Sequence, residues 1–496
     1  MTTGTLLGID IGTTGVRAAV FADDGTLLAD ASVACPHDAP QPGWAEAHPE
    51  AWWRAIVRAL GEVSLKVRLA EVGAVAVTGQ APTVVLVDDE GAMVRPAILW
   101  LDTRADAEAK ALGTQAYYLG PKLAWLARHE PESLARTRWL LQSHAFIAQR
   151  LTGEAAFDRS TAALCLPLFD LHALDWVQNA FTAGGIQRSQ LPPVRHSHEV
   201  LGGVTAAAAK VTGLRAGVPV VVGGGDFAAA TLGAGVLAEG EACLMLGTAG
   251  NLLVPRRTAG TDARLINSHH VGAESWLSLG GTLSGGAQEW LRHALARGTT
   301  SADDTAIRGA LPTFDALDGE AARVPAGSDG LLFLPYLQGE RTPIWDVAAR
   351  GSYVGLGLQH GRGHLWRSLL EGIALGFMDC QAVLEEGGVV LREVVAANGG
   401  GKSALFRQIL CDALGVPLAY TPKGGGTVAG AAILAGVGAG ILGSVEDARE
   451  WRGEMIRHEP DRAAHARYRE LLGLRRGAYE GLKGVFEGLA GLRARG

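Results

Sequence analysis

The segment Asp10-Ile11-Gly12-Thr13-Thr14-Gly15 combines residue types that handle phosphate. Gly12 and Gly15 permit a tight hairpin whose backbone N–H groups face one point. Thr13 and Thr14 add hydroxyl donors, and Arg17 follows two residues after Gly15. Asp10 ends an apolar run and has the chemistry to hold Mg2+ through water. A plain hairpin with polar turn residues fits the same segment equally well. Gly247-Thr248-Ala249-Gly250 repeats the pattern in the second half. Two such hairpins across a cleft would clamp a nucleotide tail.

Two further segments carry chemistry. Gly223-Gly224-Gly225-Asp226 follows a fully apolar stretch and opens a small-residue helix. Asp226 suits a helix N-cap, yet a cap does not need three glycines before it. A carboxylate there also suits a general base toward a hydroxyl. Ala397-Asn398-Gly399-Gly400-Gly401-Lys402-Ser403 nearly matches a P-loop, but Ala396 stands where its first glycine belongs. Fewer than a hundred residues follow it, too few for a typical P-loop domain. Its glycines instead make a flat surface at a helix N-terminus, suited to a nucleoside. His269-His270, and His196 with His198, are expected to lack a carboxylate or thiolate partner for a metal and read as surface or core histidines. Trp44, Trp52 and Trp53 read as packing, and Ser284 offers no nucleophile elbow.

The elements that must position these residues alternate strand and helix. Leu6 to Ile11, Val16 to Phe21 and Leu27 to Val33 are expected strands, with Asp24-Gly25 as a hairpin turn. A Trp-rich helix runs from Pro49 to Val67, followed by strands at Gly73 to Val77 and Val84 to Val87. Residues 102–151 read as mainly helical, and 164–200 as irregular. Val218 to Val222, Ala242 to Leu246, Trp276 to Leu279, Leu331 to Leu334 and Val394 to Ala397 are further strands. Helices fit Thr282 to Ala296, Leu365 to Glu385, Ser403 to Leu414 and Thr427 to Ala435. This is α/β layering. The second half restarts the order of the first: strand, Gly/Thr turn, strand, then helix. Two related lobes, residues 1–240 and 241–496, are therefore expected.

Composition narrows the function. The 496 residues are 48% hydrophobic and 19% charged, an ordinary globular balance. A net charge of −7 gives no basic footprint for nucleic acid or anionic membrane. The run between Lys423 and Glu446 is charge-free but rich in glycine, and reads as a buried helix rather than a membrane span. Five scattered cysteines without a C-x-x-C pattern favour a reducing cytoplasm, and the N-terminus does not read as a signal peptide.

Together the loops resemble the FGGY carbohydrate kinases of the actin, hexokinase and heat-shock ATPase superfamily, over nearly the whole chain. The pattern is most similar to xylulokinases. Supporting segments include Gly8 to Gly15, Trp44-Ala45-Glu46, Gly79-Gln80, Arg95 to Trp100 with Asp102 and Arg104, Gly339-Glu340-Arg341-Thr342-Pro343 and Leu370-Glu371-Gly372. The resemblance implies two ribonuclease-H-like lobes around a central cleft, the actin-like ATPase fold. It implies ATP and Mg2+ as cofactors and a small sugar or polyol as substrate, most directly D-xylulose. It assigns Asp226 as catalytic base and Asp10 as the Mg2+-linked carboxylate. It places Gly12, Thr13, Thr14, Arg17, Gly247 and Thr248 on the phosphates, and Gly399, Gly400, Gly401 and Lys402 around the adenosine. Gln80, Ala81, Asp102 and Arg104 fall where the family contacts sugar. Dimers occur in the family, which allows a homodimer.

Three departures lie near the substrates. Xylulokinases commonly continue Gly-Gln with Met-His-Gly, where this chain has Ala81-Pro82-Thr83. The stretch from Arg104 to Lys122 is shorter than usual. Ala249 replaces a usual serine. Another ketopentose or a polyol such as ribitol therefore stays open as substrate. So do a non-catalytic sugar- or nucleotide-binding regulator and an ATPase acting on protein partners.

Overall fold

The computed structural model describes residues 4–177, 185–296, 311–397, 399–422 and 426–493. Asn398 lies outside the described residues.

The alternating apolar residues of the N-terminal half build one seven-stranded sheet. Its centre is β1 (Thr5–Ile11), flanked by antiparallel β2 (Gly15–Phe21) and β3 (Leu27–Ala34) on one side. On the other side lie parallel β4 (Val72–Gly79) and β5 (Pro219–Val221). Val200–Gly203 closes the edge antiparallel to β5, and the pair Gly224–Gly225 adds to β4. The second sheet repeats this order. Its centre is β6 (Glu241–Leu246), with antiparallel β7 (Ala249–Arg256) and β8 (Trp276–Leu283) on one side. Parallel β9 (Glu393–Ala397) and β10 (Leu418–Tyr420) lie on the other. Strands Ile266–His269 and Ile456–His458 form its edges.

Helices cover both sheets, as parallel strands require. In the first half they include α1 (Pro49–Val63), with proline in its first turn, and α2 (Ser143–Thr152), ended by left-handed Gly153. α3 (Asp226–Gly233) begins at the candidate base. In the second half α4 (Gly285–Ala294) is followed by the long buried α5 (Arg362–Glu386) and by α6 (Ala404–Leu414), capped by the Ser403 hydroxyl. The glycine-rich run anticipated as a buried helix is α7 (Gly426–Gly438). No helix among the described residues is long and apolar enough to cross a membrane. All five cysteines are free thiols.

α7 ties the halves together. It packs on β1 and β4 of the first sheet and crosses α3 at very close range. A Cβ on Gly430 would sit 1.9 Å from the Ala229 carbonyl oxygen, so only glycine admits that crossing. Around it one apolar cluster takes Leu6, Ala74 and Val221 from one sheet and Cys243, Leu253 and Val395 from the other.

Several expectations are corrected. α1 stops at Val63, not Val67: a turn at Ser64–Lys66 redirects the chain through Leu69–Glu71 into β4. The helical stretch 102–151 is broken by the short strand Trp139–Leu141, paired with Val85–Val87. The 32-residue helix α8 (Arg462–Arg493) was not anticipated. Its glycines and arginines mask the periodicity, and tertiary contacts hold it: buried Tyr468 and Leu471, and Arg475 and Arg476 on Asp379.

Candidate functional site

Asp10 and Asp226 meet because three neighbouring strands end together. Asp10 pairs in register with Thr78, and Thr78 pairs with Gly224. Gly225 lies beside Gly79, and Asp226 is the next residue. Gly223 enables this turn: its φ is +79°, and a Cβ there would sit 1.9 Å from the Val77 carbonyl oxygen. The carboxylates thus stand at the carboxyl ends of parallel strands, where open α/β sheets bind ligands. Both are largely enclosed but keep an edge open. Burial pushes both carboxyls upward, and the charge of Asp226 pushes Asp10 further. The Thr78 hydroxyl, 3.2 Å from Asp10 Oδ1, opposes the shift. The Phe227 backbone N–H donates to Asp226 Oδ1 at 2.7 Å, which fixes the carboxylate on the first turn of α3.

A buried polar cluster supports Asp226. Asp158 accepts from Ser160 N at 2.7 Å and from the Ser160 and Thr161 hydroxyls. His144 Nε2 lies 3.1 Å from its Oδ1. Gly225 N in turn donates to Ser160 Oγ at 3.1 Å, so the cluster anchors the backbone just before Asp226. None of these residues was singled out from sequence, since a lone His and a Ser-Thr pair carry no motif.

The first hairpin is tight, with Gly12 N donating to Gly15 O at 2.9 Å. Thr13 accepts from Trp100 Nε1 at 3.1 Å, while Thr14 is exposed. Arg17 does not stand free beside this loop: its guanidinium pairs with Asp30 at 2.7 Å. The second hairpin is fastened to α4. Gly247 O accepts from Gly285 N at 2.9 Å, and Thr248 O accepts from Ser284 N and Gly286 N. Gly247, Gly285, Gly399, Gly400 and Lys402 share one cavity of about 610 Å³ with Phe314. Gly401 is buried behind it. Asp318 braces the cavity, accepting from Ser403 Oγ at 2.6 Å and Trp366 Nε1 at 2.8 Å.

A second cavity of about 240 Å³ lies between the lobes. Asp102, Trp100 and Tyr117 line one wall; Ala249, Arg341 and Trp345 line the other. Asp102 accepts from Ala45 N at 2.6 Å and pairs with Arg104 at 2.7 Å. Arg104 itself is shut in: it also pairs with Glu46 and lies 3.6 Å over the Trp44 ring. The structure therefore places Arg104 behind the pocket wall, where it holds Asp102, and not on the lining. Lys122, fully buried, donates to the carbonyls of Ala116 and Tyr117, and burial lowers its pKa to about 7. That clamp shapes the short 104–122 segment under the cavity. Gln80 is buried at the end of β4 with neither amide atom bonded. Ala81 precedes a cis proline, and its carbonyl accepts from Tyr117 Oη at 3.3 Å. Tyr117, Arg341 and Trp345 are contributions that sequence reasoning missed. Arg341 stood in a quoted segment without a role, and Tyr117 stood in none.

The histidines are structural, with one correction. His269 and His270 bond backbone carbonyls at 2.8 and 3.1 Å. His196, expected to lack a carboxylate, has Glu274 at 2.8 Å. Among the described residues no cluster of three or more His, Cys, Asp or Glu could hold a metal.

Comparison with known proteins agrees with this arrangement. Residues 5–233 match the N-terminal domain of the FGGY family of carbohydrate kinases, and residues 242–439 match its C-terminal domain. Xylulose kinase of Escherichia coli K12 is 31% identical, covering 93% of this chain and 96% of that protein. Gluconokinase of Bacillus subtilis is 27% identical, covering 95% and 94%. The crystal structure of xylulose kinase from Rhodospirillum rubrum is 34% identical, with a TM-score of 0.84, covering 97% of this chain and all of that one.

Proposed function

The chain belongs to the FGGY family of carbohydrate kinases, with the actin-like ATPase fold, and from that premise we propose that it transfers the γ-phosphoryl group of ATP to a hydroxyl of D-xylulose, forming D-xylulose 5-phosphate. The observation that carries this reading is the pair of enclosed carboxylates, Asp10 and Asp226, at the ends of adjacent strands beside a phosphate-type hairpin.

In this reading residues 1–240 hold the sugar and the first phosphate hairpin, and residues 241–496 hold the nucleotide. Asp226 takes the proton from the attacking hydroxyl; an enclosed carboxyl with a raised pKa suits that task near neutral pH. Asp10 would hold Mg2+. Two enclosed acids repelling each other are a fitting donor set for a divalent cation, which when bound would neutralise phosphate charge. Gly12, Thr13 and Thr14, with Gly247 and Thr248, position the phosphates. Gly399 to Lys402 line the adenosine cavity. Gln80, Ala81 and Asp102 face the sugar side. Phosphoryl transfer asks for positioning and charge neutralisation more than for covalent chemistry, and this division supplies both. Closure of the cleft keeps water from Asp226.

Ala81-Pro82-Thr83 and a gluconokinase relative of similar identity favour a second substrate reading, another sugar or sugar acid handled by the same residues. ADP release with Mg-ATP across D-xylulose, D-ribulose, L-xylulose, L-ribulose, glycerol, ribitol and gluconate separates them. The highest kcat/KM on D-xylulose is expected. A preference for gluconate or ribitol replaces the substrate and keeps the mechanism, and silence across the panel overturns the kinase reading.

A further inference from the structure

We propose that Arg341 is a catalytic residue of this reaction, reaching from the second lobe to neutralise the phosphoryl group as it passes from ATP to the sugar. The inference rests on the kinase reading above.

The cations near the cleft differ in what holds them. Phosphoryl transfer concentrates negative charge on the moving group and needs fixed positive charge beside it. Arg17 is held by Asp30, and Arg104 by Asp102 and Glu46. Lys122 is caged by two carbonyls, and Lys402 lines the other cavity. Arg341 lines the interlobe cavity and makes no ion pair among the described residues. The acids near it are already engaged. Glu340 accepts from Thr282 Oγ1 at 2.6 Å and from the Arg341 backbone N–H. Asp102 pairs with Arg104, and Asp106 with Lys110 at 2.9 Å.

Its position fits the task. The guanidinium carbon lies 4.9 Å from the Trp100 ring and 5.5 Å from the Tyr117 ring. Trp100 donates to Thr13 of the first hairpin at 3.1 Å. The Tyr117 phenol feels the charges of both Arg341 and Asp226. Arg341 is therefore linked through Trp100 to the first hairpin, and it shares Tyr117 as a neighbour with Asp226. Its loop is rigid: Glu340 and Asp346 exchange backbone hydrogen bonds at 2.9 Å, and the Thr342 hydroxyl bonds Gly281. A fixed, unpaired donor is the form in which charge stabilisation is most effective.

In the transfer, the bond from the γ-phosphorus to the bridging oxygen breaks and its electron pair stays with ADP. A bond to the sugar oxygen forms, and the hydroxyl proton passes to Asp226. Arg341 exchanges no atom; its planar N–H groups meet the equatorial phosphoryl oxygens.

The test compares Arg341→Gln and Arg341→Lys with wild type on the best sugar of the panel. Arg341→Gln is expected to lower kcat by about 10²- to 10³-fold, with both KM values within about threefold. Arg341→Lys should recover about tenfold of that loss. Affinity for ADP with aluminium fluoride and sugar should fall in parallel with kcat. If Arg341→Gln does not fold, Arg341→Lys and its analogue affinity decide alone. Unchanged kcat with a folded variant overturns the proposal. So does a loss confined to KM for gluconate, which would make Arg341 a reader of sugar carboxylates. A wild type silent on every sugar overturns the kinase reading together with this one, whereas an active wild type with an equally active variant overturns only this one.

Discussion

The two lobes share a strand order but not a chemistry. β1 and β6 occupy the same place: the two nearest strands on one side of each form an antiparallel run, and the two nearest on the other run parallel to it. In the first hairpin the last register pairs are Asp10 with Arg17 and Ile11 with Val16. In the second they are Met245 with Asn251 and Leu246 with Gly250. The acid of one lobe is thus a thioether in the other. The helices after the fifth strands, α3 and α7, also correspond and pack together, but α3 opens on Asp226 while α7 opens on Gly426-Thr427. The backbone supplies a turn and a helix mouth in both lobes. In the proposed reading, single residues decide which lobe reacts and which only holds.

The sharpest way to break that comparison is to remove the acid. Asp226→Asn keeps the shape and the helix start, and should lower sugar-dependent ADP release by about 10²- to 10⁴-fold. ADP binding, measured by calorimetry, should stay unchanged, because the cavity proposed for the nucleotide belongs to the other lobe. Equal loss of both would show that the lobes do not divide the work.

The next effect concerns Asp10. Its carboxyl titrates higher folded than unfolded, so the neutral form is the one folding favours. That stability is complete below the unfolded value of 3.8 and is lost as pH rises toward about 8. Metal-free protein should therefore melt several degrees lower at pH 8 than at pH 5.5, and Asp10→Asn should flatten that slope. Adding Mg2+ at pH 8 should restore the melting temperature of wild type but not of the variant. Nothing at Met245 titrates, so that position adds nothing to the slope; Glu340, pushed up to about 7 by burial, adds a part that Asp10→Asn leaves in place.

A smaller perturbation strikes where the lobes join. Gly430→Ala would place a Cβ 1.9 Å from the Ala229 carbonyl oxygen at the crossing of α3 and α7. Overpacking of this kind costs about 1–3 kcal/mol, and urea unfolding should register it. Because one apolar cluster spans both sheets, both lobes should lose stability in a single transition. Two separated transitions would show that the lobes are joined less tightly than that shared cluster requires.

How much of this was legible in sequence depended on whether the signal was local. The Gly-Thr hairpins, the glycine run before Asp226 and the apolar strands are contiguous, and their positions follow from turn chemistry and alternation. The approach of Asp10 to Asp226 is not contiguous; it required the register of β4 with both neighbours. Arg17 and Arg104 illustrate the limit. Each carries a charge in a suggestive place, but Asp30 and Glu46 decide what that charge meets. Asp30 lies on the next strand, and Glu46 lies 58 positions before Arg104. α8 was illegible for another reason: its glycines weaken intrinsic propensity, and the contacts that stabilise it come from α5.

Lys402 gives the mildest test and the one most directed at the second lobe. Read alone, Gly401-Lys402-Ser403 suggests a P-loop lysine, whose loss would abolish turnover. The structure gives these residues different duties. Ser403 caps α6 through Phe406 N at 3.0 Å and donates to Asp318 at 2.6 Å. Lys402 is exposed at the edge of the 610 Å³ cavity. An exposed charge near a nucleotide is worth about 0.2–1 kcal/mol. Lys402→Ala should then raise KM for ATP by about two- to fivefold and leave kcat within about twofold. A collapse of kcat instead would move chemistry into the second lobe and undo the division between a lobe that reacts and a lobe that holds.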